Sequence, residues 1–156
     1  MTAWMYQGTT EGNNPIIQSW IDQLNNEYGY PDKEGNSPID NDSGEWCGVF
    51  VYKCLKDSGI SINRKKGAWQ SPALSSFYQN NWKGATILDN PEIGAIVRMK
   101  YSHVAFIIGF DDKYLWIIGG NQQPEPALED GRGTTVNIRK VKRSQKDKYV
   151  SPIVSE

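Results

Sequence analysis

The sequence predicts an α+β fold in which N-terminal helices pack on an antiparallel β-sheet. Two observations carry this expectation. In the first half of the chain apolar residues recur at helical spacing. In the second half the chain breaks into short segments rich in β-branched and aromatic residues, separated by Gly, Pro, Asp and Lys clusters. No repeat, linker or low-complexity tract divides the chain, and 156 residues suffice to bury a core without metals or disulfides, so residues 1–156 are expected to form one domain.

The elements follow in order. After a polar leader, Pro15 opens a helix expected to run to about Glu27, in which Ile16, Ile17, Trp20, Ile21 and Leu24 recur at helical spacing. Residues 29–42, rich in Gly, Pro, Asn and Asp, read as a long irregular loop. Asp42 or Ser43 can cap a second helix, roughly 44–58, that stops at Gly59. Its Trp46, Phe50 and Cys54 supply buried positions, and Cys47 falls in its first turn. A shorter helix is expected over 71–79, with Pro72 at its start. Strands are expected at 92–99, 102–110, 114–119, 134–141 and 149–154.

Bulk properties exclude several functions. A formal net charge of −1 gives no pull toward nucleic acid. The most basic stretch, Arg139 to Lys148, is diluted by Gln145 and Asp147 and reads as a solvated strand end and loop. The opening MTAWMYQGTTEGNN lacks a positive segment followed by an apolar run, which predicts synthesis in the cytoplasm without a signal peptide. No stretch approaches the roughly 18 apolar residues of a membrane span, so no membrane insertion is expected. Cys47 and Cys54 stand about 10 Å apart along a helix, too far for a disulfide. One histidine and two cysteines at that spacing do not make a zinc site, and no phosphate-loop lysine follows GTTEGNN. Neither metal nor other cofactor is expected.

What remains is nucleophilic chemistry. A thiol reacts as thiolate, and the unpaired N–H groups of a helix's first turn favour that anion, which makes Cys47 the candidate nucleophile. The same amides, near residues 46–48, could face a developing oxyanion. His103, the sole histidine, leads the apolar run SHVAFIIGF and is the only imidazole base on offer. A catalytic imidazole needs a partner that fixes its orientation, and the next strand, YLWIIGG, delivers Asn121 and Gln122 back beside it. Asn121 is the first choice and Gln122 its competitor. Asp111 and Asp112 belong to the intervening turn, at the wrong end of the sheet. Trp46 either lines the cleft or anchors its helix, and Trp69 in RKKGAWQSP is a candidate substrate contact. Cys54, two turns beyond Cys47, belongs to the core.

The runs GEWCGVFVYKCLKDSGI, PEIGAIVRMKYSHVAFIIGFD and YLWIIGGNQ together resemble the CHAP and NlpC-type amidase/peptidase superfamily. Its small phage and bacterial members read tryptophan-cysteine-alanine before a helix, proline-glycine-aspartate before a strand, glycine-histidine-valine-glycine at the base, and glycine-glycine-asparagine-glutamine on the third element. The likeness covers about residues 44 to 123 and includes the order cysteine, histidine, polar third residue. Gly48 stands where alanine is common, EIGA at 92–95 replaces the usual turn, and Ser102 replaces a glycine. None of these departures removes a reactive group. The resemblance implies a papain-like fold with Cys47 as nucleophile, His103 as base and Asn121 as orienting group; Trp46, Gly48, Trp69 and Gln122 are candidate substrate contacts by their place in the chain. It implies peptidoglycan as substrate, cut at an amide bond. Without an export signal such an enzyme reaches the wall by lysis, as endolysins do, or by injection, as type VI amidase effectors are, and an injected toxin would have a cognate immunity protein. The rival expectations are a catalytically idle module of the same fold that grips wall peptide or a protein, and a hydrolase or transferase of that fold acting on protein or small-molecule amides.

Overall fold

A computed structural model describes residues 2–42, 45–64, 71–80, 82–122 and 135–152. Helix α1 spans Pro15–Glu27, with Asn14 as N-cap: its side chain accepts from the Ile16 and Ile17 amides while Pro15 occupies the first turn, where no N–H is needed. The helix buries Ile17, Trp20, Ile21 and Leu24 and leaves Ile16 exposed. Asp42 does not cap the second helix as expected. It is buried, and its carboxylate accepts from the backbone N–H groups of Gly12, Asn13 and Asn14, tying the long loop to the start of α1. Ser43, the other expected cap, lies outside the described residues.

Helix α2 runs Cys47–Asp57, with Trp46 at its N-cap and no side-chain capping bond there, so Cys47 is its first residue. The expected third helix shrinks to α3, Phe77–Asn80. Ser71 accepts from the Ala73 amide and Leu74 bonds back to the Ser71 carbonyl, local turns that replace the first helical turns.

The strands are β1 (Thr86–Leu88), β2 (Ile96–Met99), β3 (His103–Phe110), β4 (Tyr114–Gln122), β5 (Thr135–Lys142) and β6 (Lys146–Ser151). They form one antiparallel sheet in the order β1-β6-β2-β3-β4-β5. With the helices against it, this is an α+β architecture. Strand β1, three residues long, is too short for a periodic signal and was not expected from the sequence.

Alternation along the strands divides the core in two. Val104, Phe106, Ile118 and Val136 face the helices and join Trp20, Trp46 and Phe50 in the main cluster. Val97, Met99, Ala105, Ile107, Leu115 and Ile117 form a second cluster on the other face. The leader is held too: backbone bonds join Gly8 and Thr9 to Val136 of β5, and the Tyr6 ring meets Trp20 edge-on at 4.9 Å.

Candidate active site

Cys47 at the start of α2 and His103 at the start of β3 line one cleft of about 490 Å³, whose wall continues through Asn121, Gln122 and Arg139. Three elements distant in sequence thus bring together the residues singled out from it.

The thiol is 3% exposed. Burial pushes its pKa up to about 11, Glu45 adds to the rise, and the backbone N–H groups of Val104, Gly48 and Cys47 itself pull the other way. The helix start therefore does not leave a resting thiolate as expected, because desolvation of the anion outweighs three amide dipoles. The Val104 amide belongs to the residue after His103, so the sulfur abuts the backbone at the start of β3.

The imidazole is 9% exposed, and its Nε2 lies 2.8 Å from Gln122 Oε1. Burial lowers its proton affinity, the Gln122 bond raises it, and the Arg139 charge lowers it again. Gln122 fixes more than orientation. Its amide nitrogen donates to the carbonyls of Asn137 and Ile117, so its oxygen is the atom that faces the ring. An oxygen can only accept, so Nε2 carries the hydrogen and Nδ1 keeps its lone pair.

The group that meets the imidazole is thus Gln122, not Asn121. The cause is a β-bulge: the β4–β5 register shifts between Gly119 and Gln122, and Asn121 takes φ 55°. In a regular strand Gly119 and residue 121 would share a face. Here the extra residue puts Gln122 there instead, and a Cβ placed on Gly119 would lie 3.0 Å from Gln122 Oε1 and 3.4 Å from His103 Nε2. Asn121, half-buried, still lines the cleft.

Of the two places expected for Trp46, lining the cleft or anchoring its helix, it takes the second: it is fully buried, its ring under Gly120, where a Cβ would come within 2.6 Å of it, and it does not line the cleft. Gly48 is closed off as well: a Cβ there would sit 2.4 Å from the Ala73 carbonyl oxygen, and the Tyr78 hydroxyl is shared between the carbonyls of Gly48 and Pro72. Trp69 lies outside the described residues. Both cysteines are thiols; Cys54 is buried in the main core as expected, and Asp111 sits in the β3–β4 turn accepting from Lys113 and Tyr114.

Tyr101 and Arg139 were not foreseen. The Tyr101 ring stacks on His103 at 6.1 Å with planes 10° apart, while half its surface remains exposed. Its place two residues before the histidine was a usable signal. Arg139 gave none, since only the β4–β5 register brings it there. Among the described residues no group of three or more His, Cys, Asp or Glu side chains comes together as a metal site, and no helix is long and apolar enough to cross a membrane.

No protein-family model and no curated protein sequence matches this chain. A solved structure described as "The crystal structure of Ly7917" aligns over 70% of this chain and 53% of that chain, at 15% sequence identity and a TM-score of 0.46, so the chain spans about half that protein's length. A likeness of that degree fixes neither family nor activity.

Proposed function

We propose that the chain is a papain-like cysteine hydrolase of the CHAP/NlpC type that cleaves amide bonds in cell-wall peptide, with Cys47 as nucleophile, His103 as base and Gln122 as the group that orients the ring. The observation that carries this reading is that thiol and imidazole line one cleft while Gln122 Oε1 faces Nε2, which leaves the ring's lone pair on Nδ1. With a raised thiol and a lowered imidazole both groups rest neutral, so proton transfer to Nδ1 accompanies attack on the carbonyl. The Cys47 backbone amide at the start of α2, which already points at the sulfur, stabilises the oxyanion. Collapse breaks the C–N bond, the imidazolium returns the proton to the leaving amine, and a thioester remains on the sulfur. Water then attacks the thioester with His103 again as base, releasing the acid and the thiol. The wall as substrate, and an injected effector with its immunity protein or a lysin as biological setting, rest on the motif resemblance.

Digestion of purified sacculi followed by mass spectrometry of the muropeptides tests this directly. The wild type is expected to create new amine and carboxyl ends, and Cys47→Ala to lose about 1000-fold or more of that release. Muropeptides left unchanged by the wild type would remove wall hydrolysis. The sulfur's slight exposure and raised pKa favour one other reading, an idle binding module of the same fold. Such a module releases nothing and binds sacculi equally well as Cys47→Ala.

A further inference from the structure

We infer that Arg139 is the specificity-determining residue of this cleft and that it selects a peptide carrying a free carboxylate near the scissile amide; calling that peptide a substrate rests on the hydrolase reading above. Arg139 pairs with Ile117 across β4 and β5, and cross-strand partners share a face. Ile117 belongs to the cluster of Ala105, and the space over Gly119 is bounded by Ala105 Cβ, Gln122 Oε1 and His103 Nε2. The guanidinium therefore stands on the face that carries the imidazole, and its charge reaches both His103 and Tyr101.

Among the described residues the guanidinium of half-buried Arg139 has no ion-pair, hydrogen-bond or ring partner, whereas those of the other arginines are engaged. Arg98 pairs with Asp147 at 3.1 Å, Arg143 donates to the Asp111 carbonyl at 2.7 Å, and Arg64 lies over the Tyr28 and Tyr30 rings. A partly desolvated cation beside an imidazole costs free energy through lost hydration and through repulsion of the protonated ring. Nothing inside the described protein offsets that cost, and a bound anion would.

Charge across the cleft is ordered in the same sense. Glu45 lies on the thiol side, next in sequence to Trp46 and Cys47, while Arg139, Lys140 and Lys142 line the β5 side. A peptide with its scissile carbonyl at Cys47 thus extends an acidic group toward β5. The planar fork of arginine matches a carboxylate with two parallel bonds, which neither a carboxamide nor a hydroxyl can accept equally.

Two synthetic peptides that differ only in carrying a free carboxylate or the matching carboxamide beside the scissile amide provide the test. Binding is measured by calorimetry on full-length Cys47→Ala protein, which cannot turn over, and cleavage on the wild type. The acid is expected to bind about 10- to 100-fold more tightly than the amide. Arg139→Gln in the same background is expected to bring acid affinity down to that of the amide, and Arg139→Lys to keep part of the preference. Equal binding of the two peptides by the parent, or a preference unchanged in Arg139→Gln, overturns the inference. Loss of both peptides by both variants marks a structural role and overturns it too. If the wild type cleaves neither peptide while the binding preference holds, the hydrolase reading falls and the carboxylate site stands. Equal binding and equal cleavage of the two do the reverse.

Discussion

Gly119 and Gly120 are neighbours on β4, yet the missing side chains make room for opposite things. On the helix side the space over Gly120 is filled by Trp46 and Phe50, so α2 seats directly on the strand and Cys47 is held by packing. On the other side the space over Gly119 is taken by the Gln122 carboxamide and the imidazole, so His103 is held by hydrogen bonding. The cleft is assembled across the sheet: one reactive group is fixed by close-packed apolar contact, the other by a short polar network. Damage to the two sides should therefore be read out differently, as lost stability on one and lost activity on the other.

The largest effect expected on the polar side is that of Gln122→Leu, which keeps the volume and removes the acceptor. On the proposed hydrolase reading, release of muropeptides should fall about 100-fold, within the range that general acid–base positioning supplies, while Asn121→Ala should stay within about 3-fold. Equal losses in both variants would erase the distinction between the carboxamides. Next come the glycines themselves. Gly120→Ala drives a methyl to 2.6 Å from the Trp46 ring and 2.7 Å from Phe50 Cβ, and should cost about 1–3 kcal/mol in denaturant unfolding. Gly119→Ala presses on Ala105 Cβ at 2.9 Å and on the end of the flexible Gln122 side chain, so its activity should drop by a larger factor than its stability explains. If Gly120→Ala unfolds no more easily than wild type, the packing half of the comparison fails.

The smallest effect is one of pH. The thiol's folded pKa of about 11 lies above its ordinary value of 9.0, so between those values the unfolded chain holds fewer protons at this site than the native one. Its contribution to stability is whole below pH 9.0 and is lost as the pH rises through about 11. Wild-type protein should lose stability relative to Cys47→Ala across that window, measured as the difference in unfolding midpoints. A constant difference would mean that the sulfur is better solvated than its burial indicates.

Much of this was legible in the residues. Local signals placed α1, whose Pro15 and helical spacing are self-sufficient, and the alternation of Val104, Phe106 and Ile108 with Ala105 and Ile107 gave β3 its two faces. Cys47 and His103, which line one cleft, stood out because their types are scarce and their contexts distinctive. The failures share a cause, which is that they depend on partners far along the chain. Asp42 looked like a cap for α2 and instead serves the leader thirty residues before it. The thiolate expected from a helix start lost to desolvation, which no local pattern reports. The choice between Asn121 and Gln122 depended on whether β4 ran flat, and Arg139 on which strand it lay beside.

The bulge at Asn121 bears on how such a site can change over generations. Were β4 to flatten at unchanged length, the same alternation would swing Gln122 toward α2 and bring position 121 round to the ring. Because both positions carry a carboxamide, the histidine would find an acceptor in either backbone state. Drift between the two states need never pass through an ancestor whose imidazole lacks an acceptor, so homologues could differ in which letter serves the ring.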